Sequence, residues 1–346
     1  MKDRNYAIDF LKLIAIIAVV LIHVSTAFID RSSPFSFDFF IFVILNQISR
    51  FAVPIFFAAS GLLLALRYTS IPSPLHFYKR RLRLLIPYTF WVFTYFLIIF
   101  PHPLKNVLQL NFIYQYLTGA PSYQLYFIPT LFILYLLFPL LINYKNVFLT
   151  KKFLFFLTIF ESILLSTTYF TDSQIPLFTP IRIALYNLFP FVLGIYAGLN
   201  FEKTVKIIHL AFNSCVALMV LFGTIIVTEA LSMFTSSGNG NFLRNQWRMS
   251  IMFYSVACFV VFYVFETRYL KKWNKIILSL SALSFGVYFI HVAILDLYLR
   301  FVDTYKFFSL ASFIFGFIII TGLSFMLNFI FSKIPYVRTL LGARIS

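Results

Sequence analysis

Long hydrophobic runs separated by short polar stretches dominate this sequence. A helix needs about 20 apolar residues to cross the hydrocarbon core of a bilayer. Runs that reach or approach this length lie at residues 7–28, 38–66, 84–100, 125–142, 153–170, 181–199, 208–231, 249–265, 276–299 and 307–331. The second run is long enough to tilt or bend. The pattern predicts an all-α, polytopic integral membrane protein of about ten transmembrane helices, with residues 1–346 forming a single transmembrane domain.

The lysine and arginine positions test this segmentation, because short cytoplasmic loops are enriched in both residues. With the N-terminus inside, strict alternation places 19 of the 28 basic residues in inner loops and tails, and only Lys12 and Arg50 within the apolar runs. The seven on the outer side are Arg31, Lys105, Arg182, Arg244, Arg248, Arg300 and Lys306. One helix more or fewer would destroy this asymmetry. Both termini are therefore predicted to be cytoplasmic.

Composition supports the same class of protein. The chain is 61% hydrophobic and 11% charged, whereas soluble domains carry roughly 25% charged residues. The net charge of +17 does not indicate a nucleic-acid partner, because the basic residues alternate with apolar runs and form no single patch. Cys215 and Cys258 lie in apolar stretches, which favours buried packing over a disulfide or a metal site.

A cleaved signal peptide is an alternative interpretation of the first run. Lys2, Arg4 and Lys12 precede or begin the run, and residues 25–27 (Ser-Thr-Ala) loosely resemble a cleavage site. Cleavage there would remove His23, the residue on which the functional interpretation depends.

Several ionisable residues lie within predicted membrane helices. Placing such a side chain inside a bilayer costs free energy, which makes each one a candidate functional group. They are Lys12, His23, Arg50, Glu161 and His291. Lys12 and His23 are eleven residues apart, which returns to nearly the same helix face after three turns. His23 lies roughly 24 Å and His291 roughly 22 Å from the inner surface at 1.5 Å per residue. The two histidines are therefore predicted to share one layer of the bundle.

The chemistry of these groups leaves alternatives open. A neutral His23 imidazole in a cavity can take a proton from a hydroxyl, but either histidine can also serve only as a hydrogen-bonding or packing residue. Arg50 stays charged and needs a carboxylate, a phosphate or a water-filled cleft. An ion pair with Glu161 is its structural alternative.

A basic run, Tyr-Lys-Arg-Arg-Leu-Arg at residues 78–83, lies at the predicted cytoplasmic end of the third helix. Its cations could hold the phosphates of a nucleotide-like donor. They could equally be an orientation signal that contacts lipid headgroups. Arg80 and Arg83, three residues apart, project together if the helix begins this early.

Several short sequence blocks follow one another in a characteristic order along the chain. They are DFLK at 9–12 with AI at 15–16 and VLIH at 20–23, RFAVPIFF at 50–57 with SGL at 60–62, FYKRRLRLLIPY at 77–88, LYFIP at 125–129 with Tyr135 and Pro139, FPFVLG at 189–194, and SFGVYFIH at 284–291. In order and spacing these blocks resemble the acyltransferase 3 family of bacterial membrane-bound acyltransferases, over nearly the whole chain. Two departures are Lys12, where the family usually has arginine, and Tyr126, where tryptophan is common.

The resemblance implies a role for each candidate residue. His23 would be catalytic, and Lys12, Arg80 and Arg83 would bind the donor. Supporting roles would fall to Arg50, His291, Glu161 and Tyr126. An acyl-histidine intermediate is as compatible with this set as direct transfer.

The implied activity is transfer of an acyl group, acetyl or succinyl, from a cytoplasmic acyl-CoA to a hydroxyl of a cell-surface glycan or lipid-linked sugar. The implied location is the bacterial cytoplasmic membrane, with membrane lipid as a further partner and no permanently bound cofactor. The alternative is a transporter or exporter of polysaccharide or lipid-linked glycan, which should show internal repeats. A purely structural scaffold is a third reading, but it leaves the buried charges unexplained.

Overall fold

The computed structural model describes residues 5–99, 111–172 and 175–340. Of the described residues, 84% are helical and none is in a strand. The predicted all-α class is therefore confirmed. Lys2, Arg4, Lys105 and Arg344, which contribute to the charge asymmetry, lie outside the described residues, as does residue 100 at the end of the third predicted segment.

The described ranges contain sixteen helices of six or more residues, numbered in chain order. They are α1 Tyr6–Ile29, α2 Phe37–Ile48, α3 Ala52–Arg67, α4 Pro74–Arg81, α5 Leu85–Ile99, α6 Asn111–Thr118, α7 Phe127–Asn143, α8 Lys151–Phe170, α9 Thr179–Leu185, α10 Leu188–Leu199, α11 Phe201–Leu210, α12 Phe212–Ser237, α13 Met249–Phe265, α14 Asn274–Tyr305, α15 Leu310–Ser332 and α16 Pro335–Leu340. Short turns at Leu82–Leu84, Lys145–Phe148, Asn241–Arg244, Glu266–Leu270 and Lys271–Trp273 connect some of them.

Each predicted apolar segment falls on one of these helices or on a bent pair. Among the described residues, six helical stretches are long and apolar enough to cross a membrane, or seven if the bent pair α9–α10 counts as one span. The six are Tyr6–Ile29, Phe37–Arg67, Lys151–Phe170, Phe212–Ser237, Asn241–Tyr305 and Leu310–Ser332. The stretch Asn241–Tyr305 contains both α13 and α14. The fold is thus that of a multi-pass membrane protein, while ten crossings and the orientation of the termini stay predictions.

Two of the predicted segments are interrupted, and a proline explains each break. Proline has no N–H and cannot donate to the carbonyl four residues earlier. Pro54 in α3 and Pro190 in α10 therefore leave the helix free to break near residues 50 and 186. The second segment divides there into α2 and α3, as its length allowed, and α9 meets α10 at 54°. The first break puts Arg50 at a helix junction.

Helix α1 lies at the centre of the bundle. It packs against α2, α3, α13, α14 and α15, and its apolar side chains are mostly buried. Helix α12, in contrast, buries only Ile226 and Ala230, as expected of a helix that faces lipid. The position of α1 places Lys12 and His23 inside the protein rather than at its periphery.

Helices α3 and α10 approach each other at glycines. A Cβ added to Gly194 would lie 2.0 Å from the carbonyl oxygen of Ala58, and one added to Gly61 would lie 2.2 Å from that of Phe191. Gly198, one turn beyond Gly194, faces the backbone of α3 in the same way. Small residues spaced four apart let membrane helices pack backbone to backbone. This contact fixes α3, and with it the position of Arg50.

Candidate active site

One large cavity, of about 1770 Å³, runs between the helices past His23. One end, the basic mouth, is lined by Lys12, Arg67, Arg80, Arg81, Arg83 and Arg338. The opposite end, the mixed-charge mouth, is lined by Asp30, Arg31, Asp172, Asn241, Arg244, Asn245, Gln246 and Asp296. Lys12 lies on α1, and Asp30 directly follows the C-terminal end of α1. The two residues are 18 positions apart, which corresponds to about 27 Å along a helix. The cavity is therefore long enough to cross most of an apolar bilayer core.

The basic mouth gathers cations from distant parts of the chain. Arg80 comes from the last turn of α4, and Arg83 from the following 3₁₀ turn. Their side chains line the same cavity, as predicted from their spacing. Lys12 also lines it, and its ammonium group pairs with Asp9 at 2.5 Å. The structure thus brings together the three basic residues that the sequence nominated for donor binding.

Three further arginines of the basic mouth were not nominated from the sequence. Arg67 ends α3, and Arg338 lies in the C-terminal helix α16. Arg81 is partly buried, and its guanidinium lies 4.9 Å from the ring centre of Phe77 and 5.3 Å from that of Tyr135. Stacking on aromatic faces suits arginine better than lysine. It holds this cation beside the cavity.

His23 and His291 lie in one layer, as their depths predicted. Their ring centres are 5.2 Å apart, with 30° between the ring planes. His23 lines the cavity, whereas His291 is fully buried behind it. The ring of Tyr123, which also lines the cavity, lies 4.7 Å from that of His23 on another side. The histidine that can reach a substrate is therefore His23, in contact with two other rings.

The hydrogen bond of His291 indicates its tautomer. Nδ1 lies 2.9 Å from the carbonyl oxygen of Val287, one turn earlier on α14. A carbonyl only accepts, so Nδ1 carries the hydrogen and a neutral ring has its lone pair on Nε2. Nε2 is buried and has no partner among the described residues. The neutral ring therefore offers an acceptor, not a donor, at its free nitrogen.

Arg50 is almost fully buried and binds neutral oxygens. Nε and Nη2 donate to Oδ1 of Asn46 at 3.0 and 2.5 Å. Nη2 also donates to the carbonyl oxygen of Leu243 at 2.9 Å, and Nη1 donates to that of Arg244 at 2.6 Å. Four hydrogen bonds from five N–H groups leave one N–H without an acceptor among the described residues. Arg50 makes no ion pair with a carboxylate in the described part of the chain, so the alternative pairing with Glu161 is not seen.

Glu161 lies away from the cavity. Its Oε2 accepts a hydrogen bond from the backbone N–H of Phe189 at 2.7 Å, at the start of α10. Accepting from the first turn of a helix is a structural role that suits a carboxylate. The structure therefore does not bring Glu161 to the histidines, although it brings His291, Arg50 and Tyr126 close to them or into the cavity lining.

A buried polar network connects Arg50 to α1 beside His23. The Nδ2 of Asn46 donates to the carbonyl oxygen of Ile22 at 3.0 Å and to the hydroxyls of Ser25 and Thr26, both at 2.9 Å. Ile22 immediately precedes His23. The network fixes the backbone that carries the histidine, and it holds the segment around residue 243 against the same helix.

The network continues to Arg248, which the charge pattern had placed in an outer loop. Its side chain is instead buried. Nη1 lies 3.4 Å from Oε2 of Glu229 and donates to the carbonyl oxygen of Ile226 at 2.9 Å, while Nη2 donates to Gln47. Removing either partner of this buried pair would leave an uncompensated charge inside the protein.

Ion pairs organise the mixed-charge mouth. Nε of Arg31 lies 2.9 Å from Oδ1 of Asp303, and Nη2 lies 3.1 Å from Oδ2. This two-point contact raises the pKa of Arg31. Arg244 pairs with Asp30. These pairs link the end of α1 to α14 and to the segment that carries residue 244.

Residues 241–247, here called the 241–247 segment, cover one side of the mixed-charge mouth. The amide of Gln246 donates to the hydroxyl of Tyr126, and the ring of Trp247 meets that of Tyr126 edge-on at 6.0 Å. Both residues line the cavity. Tyr126 is therefore a contact of this segment, a role that sequence spacing could not assign.

Asp296 is the residue that sequence reasoning should have found. It lies within the predicted membrane segment 276–299 and lines the cavity. The criterion that selected Glu161, an ionisable side chain inside an apolar helix, applies equally to it. Tyr123, in contrast, gives no such signal, because an aromatic residue in a loop is unremarkable until the fold places it on His23.

No group of metal-ligating side chains occurs within the described ranges. A family model described as an acyltransferase domain matches residues 5–329. Searches of curated proteins and of solved structures gave no match. The matched range includes His23, His291 and the whole mixed-charge mouth, and it ends before Arg338.

Proposed function

Because this chain belongs to the acyltransferase 3 family and is therefore a membrane-bound acyltransferase, we propose that it moves an acyl group from acyl-CoA to a hydroxyl. Acetyl or succinyl is the group, and a cell-surface glycan or lipid-linked sugar is the acceptor. The observation that carries the proposal is the single cavity in which His23 lies between a mouth of six cations and a mouth of mixed charge.

The basic mouth suits the donor. Coenzyme A carries a pyrophosphate and a 3′-phosphate, and arginine forms two-point hydrogen bonds with such groups. Arg80, Arg83 and Lys12 would hold these phosphates together with Arg67, Arg81 and Arg338. Lys12 lies eleven residues from His23, about 16 Å along α1. The flexible arm of the donor would span this distance and bring the thioester to the histidine.

His23 would act as the general base. Its neutral imidazole takes the proton from the acceptor hydroxyl while the oxygen attacks the thioester carbonyl. The carbon–sulfur bond then breaks, the ester is released as one product, and the imidazolium returns the proton to the departing thiolate. Each substrate reaches the ring from its own mouth, so neither has to pass the other.

Arg50 and His291 would support this chemistry from their observed contacts. Arg50 lines the cavity and would act as a positioning residue, because its hydrogen bonds join the 241–247 segment to the network beside His23. His291 presents only a lone pair at Nε2 in its neutral form, so we assign it to orienting His23 rather than to binding the oxyanion. Tyr126 would hold Gln246 and Trp247 at the acceptor side.

The topology follows from the same assignment. Acyl-CoA is a cytoplasmic metabolite, so the basic mouth would face the cytoplasm and the mixed-charge mouth the outer surface of a bacterial cytoplasmic membrane. This agrees with the excess of lysine and arginine in the predicted inner loops. We propose ten crossings with both termini inside, counting α2–α3 and α9–α10 as one broken span each.

The proposal is tested with purified protein in lipid nanodiscs, labelled acetyl-CoA or succinyl-CoA, and glycans extracted from the native membrane. His23→Ala should abolish transfer and leave the protein folded. The matched control is His209→Ala, because His209 lies outside the cavity lining, beside Thr267. Full transfer by the His23→Ala variant would end the proposal, and transport of unmodified glycan without transfer would favour an exporter.

A further inference from the structure

Asp296 occupies a position between the histidine layer and the mixed-charge mouth. It follows His291 on α14 by five residues, which places it about 7.5 Å farther along the helix axis. Its side chain lines the cavity and is partly exposed there. The distance corresponds to about one sugar ring beyond the layer where His23 would act.

Arg31 and Arg300 are the cations that interact electrostatically with Asp296, and Arg300 lies four residues farther along α14 with an exposed side chain. Arg31 is held by Asp303, and Arg244 by Asp30. In the described ranges the Asp296 carboxylate makes neither a hydrogen bond nor an ion pair. An unpaired carboxylate in an apolar helix is costly unless it faces water or a ligand. Asp296 is therefore the carboxylate that lies between the histidine layer and this mouth, whereas the buried Arg50 is already engaged by neutral oxygens.

Tyr123 completes the surface on which an acceptor would rest. Its side chain is exposed in the cavity, and its ring contacts His23. A carboxylate accepts hydrogen bonds and donates none, while a phenol can do both. Together these groups suit a ligand that presents hydroxyl groups and carries no negative charge.

We infer that Asp296 and Tyr123 form an acceptor subsite that selects an uncharged sugar and disfavours acidic ones. Asp296 would accept hydrogen bonds from the sugar hydroxyls next to the one that is acylated, and Tyr123 would pack against the ring. An acidic sugar would place its own carboxylate against that of Asp296. The inference depends on the proposed acyl transfer and adds the charge class of the acceptor.

The test compares two glycosides that differ in one group. Wild-type protein in nanodiscs is given labelled acetyl-CoA with methyl glucoside or with methyl glucuronide, and kcat/KM is measured for each. We expect a preference of at least about tenfold for the neutral sugar, because two like charges repel strongly in a partly shielded site. Asp296→Asn should reduce the preference to below about threefold and leave KM for acetyl-CoA unchanged.

Two variants control for general damage. Asp38→Asn removes a carboxylate that caps the first turn of α15 and does not line the cavity, so the preference should not change. Asp296→Glu keeps the charge and should keep the preference. An unchanged preference in Asp296→Asn would overturn the inference, and so would a loss of kcat with the preference intact, since that result places Asp296 in the chemical step.

The outcomes also separate this inference from the proposed function. If the wild type acylates native membrane glycans but neither glycoside, or both glycosides equally, the acceptor subsite is wrong and the transfer stands. If the wild type transfers no acyl group to any hydroxyl, the proposed function itself is wrong.

Discussion

Arg50→Lys is the variant that best separates a structural from a chemical role of this buried cation. Lysine keeps the positive charge but replaces a planar fork of five N–H groups by one ammonium on a flexible chain. In the wild type the fork holds Oδ1 of Asn46 and the carbonyl oxygens of Leu243 and Arg244. A lysine cannot reach all three. The substitution should therefore loosen the 241–247 segment.

The structure sets the size of this effect. The amide of Gln47 also donates to Asn46 at 3.2 Å and to the Leu243 carbonyl at 2.7 Å, so these two acceptors keep a partner. The Arg244 carbonyl loses its hydrogen bond to the Arg50 guanidinium, and a hydrogen bond to a charged group contributes about 1.5–3 kcal/mol. A central value of about 2 kcal/mol corresponds to roughly 30-fold faster local opening.

Hydrogen exchange measured by mass spectrometry on protein in nanodiscs reports this opening. Amides within residues 241–247 should exchange roughly 30-fold faster in Arg50→Lys, while those in the middle of α14 stay protected. Arg182→Lys is the matched control, because the Arg182 side chain makes a single described hydrogen bond, to the carbonyl of Ile175 at 3.3 Å. Transfer should fall mainly through a higher KM for the acceptor. Unchanged exchange with a lost kcat would refute this reasoning and place Arg50 on the reacting atoms.

Three further predictions address packing, the second histidine and the donor. Gly194→Ala should lower the thermal unfolding temperature, because the added Cβ would lie 2.0 Å from a carbonyl oxygen of α3 and overpacking costs about 1–3 kcal/mol. The control Gly223→Ala should not lower it, because the Cβ added there would meet nothing closer than 3.5 Å. His291→Gln keeps a hydrogen-bond acceptor near the Nε2 position, whereas His291→Asn keeps only the donor near Nδ1. The glutamine variant should therefore retain more transfer activity. An equal loss of activity in both variants, with unaltered pH–rate profiles, would contradict an orienting role. Arg83→Ala should raise KM for acetyl-CoA about tenfold or more, because one charge-assisted hydrogen bond to a phosphate contributes about that much, and KM for the acceptor should not change. An unaltered KM for acetyl-CoA would remove Arg83 from the donor site.

The helices and the histidine layer were predictable because they depend on local properties of the chain. Apolar length marks the helices, and a fixed rise per residue gives depth. His23 and His291 enter the bundle from the same predicted side at similar distances, so their proximity could be anticipated. The same reasoning put Arg80 and Arg83 at one mouth with Lys12.

The partners of buried polar groups were not predictable, because they depend on which backbone groups the fold leaves unpaired. Arg50 meets the carbonyls at the end of the short turn Asn241–Arg244, almost 200 positions later in the sequence. Arg248 turns inward to Glu229 for a similar reason. The sequence shows charged side chains such as Glu161, the structural alternative for Arg50, but it does not show which backbone carbonyls are free to accept.

Under the proposed function, a cavity with two mouths would make the reaction vectorial. In the proposed orientation coenzyme A is released on the side where it is synthesised and recharged, so the cell exports a two- or four-carbon fragment without exporting the carrier. The ester, once outside, is separated from the thiol that would reverse the step. Compartmentation thus adds to the favourable hydrolysis energy of the thioester in driving surface modification to completion, and no ATP is needed outside the cell.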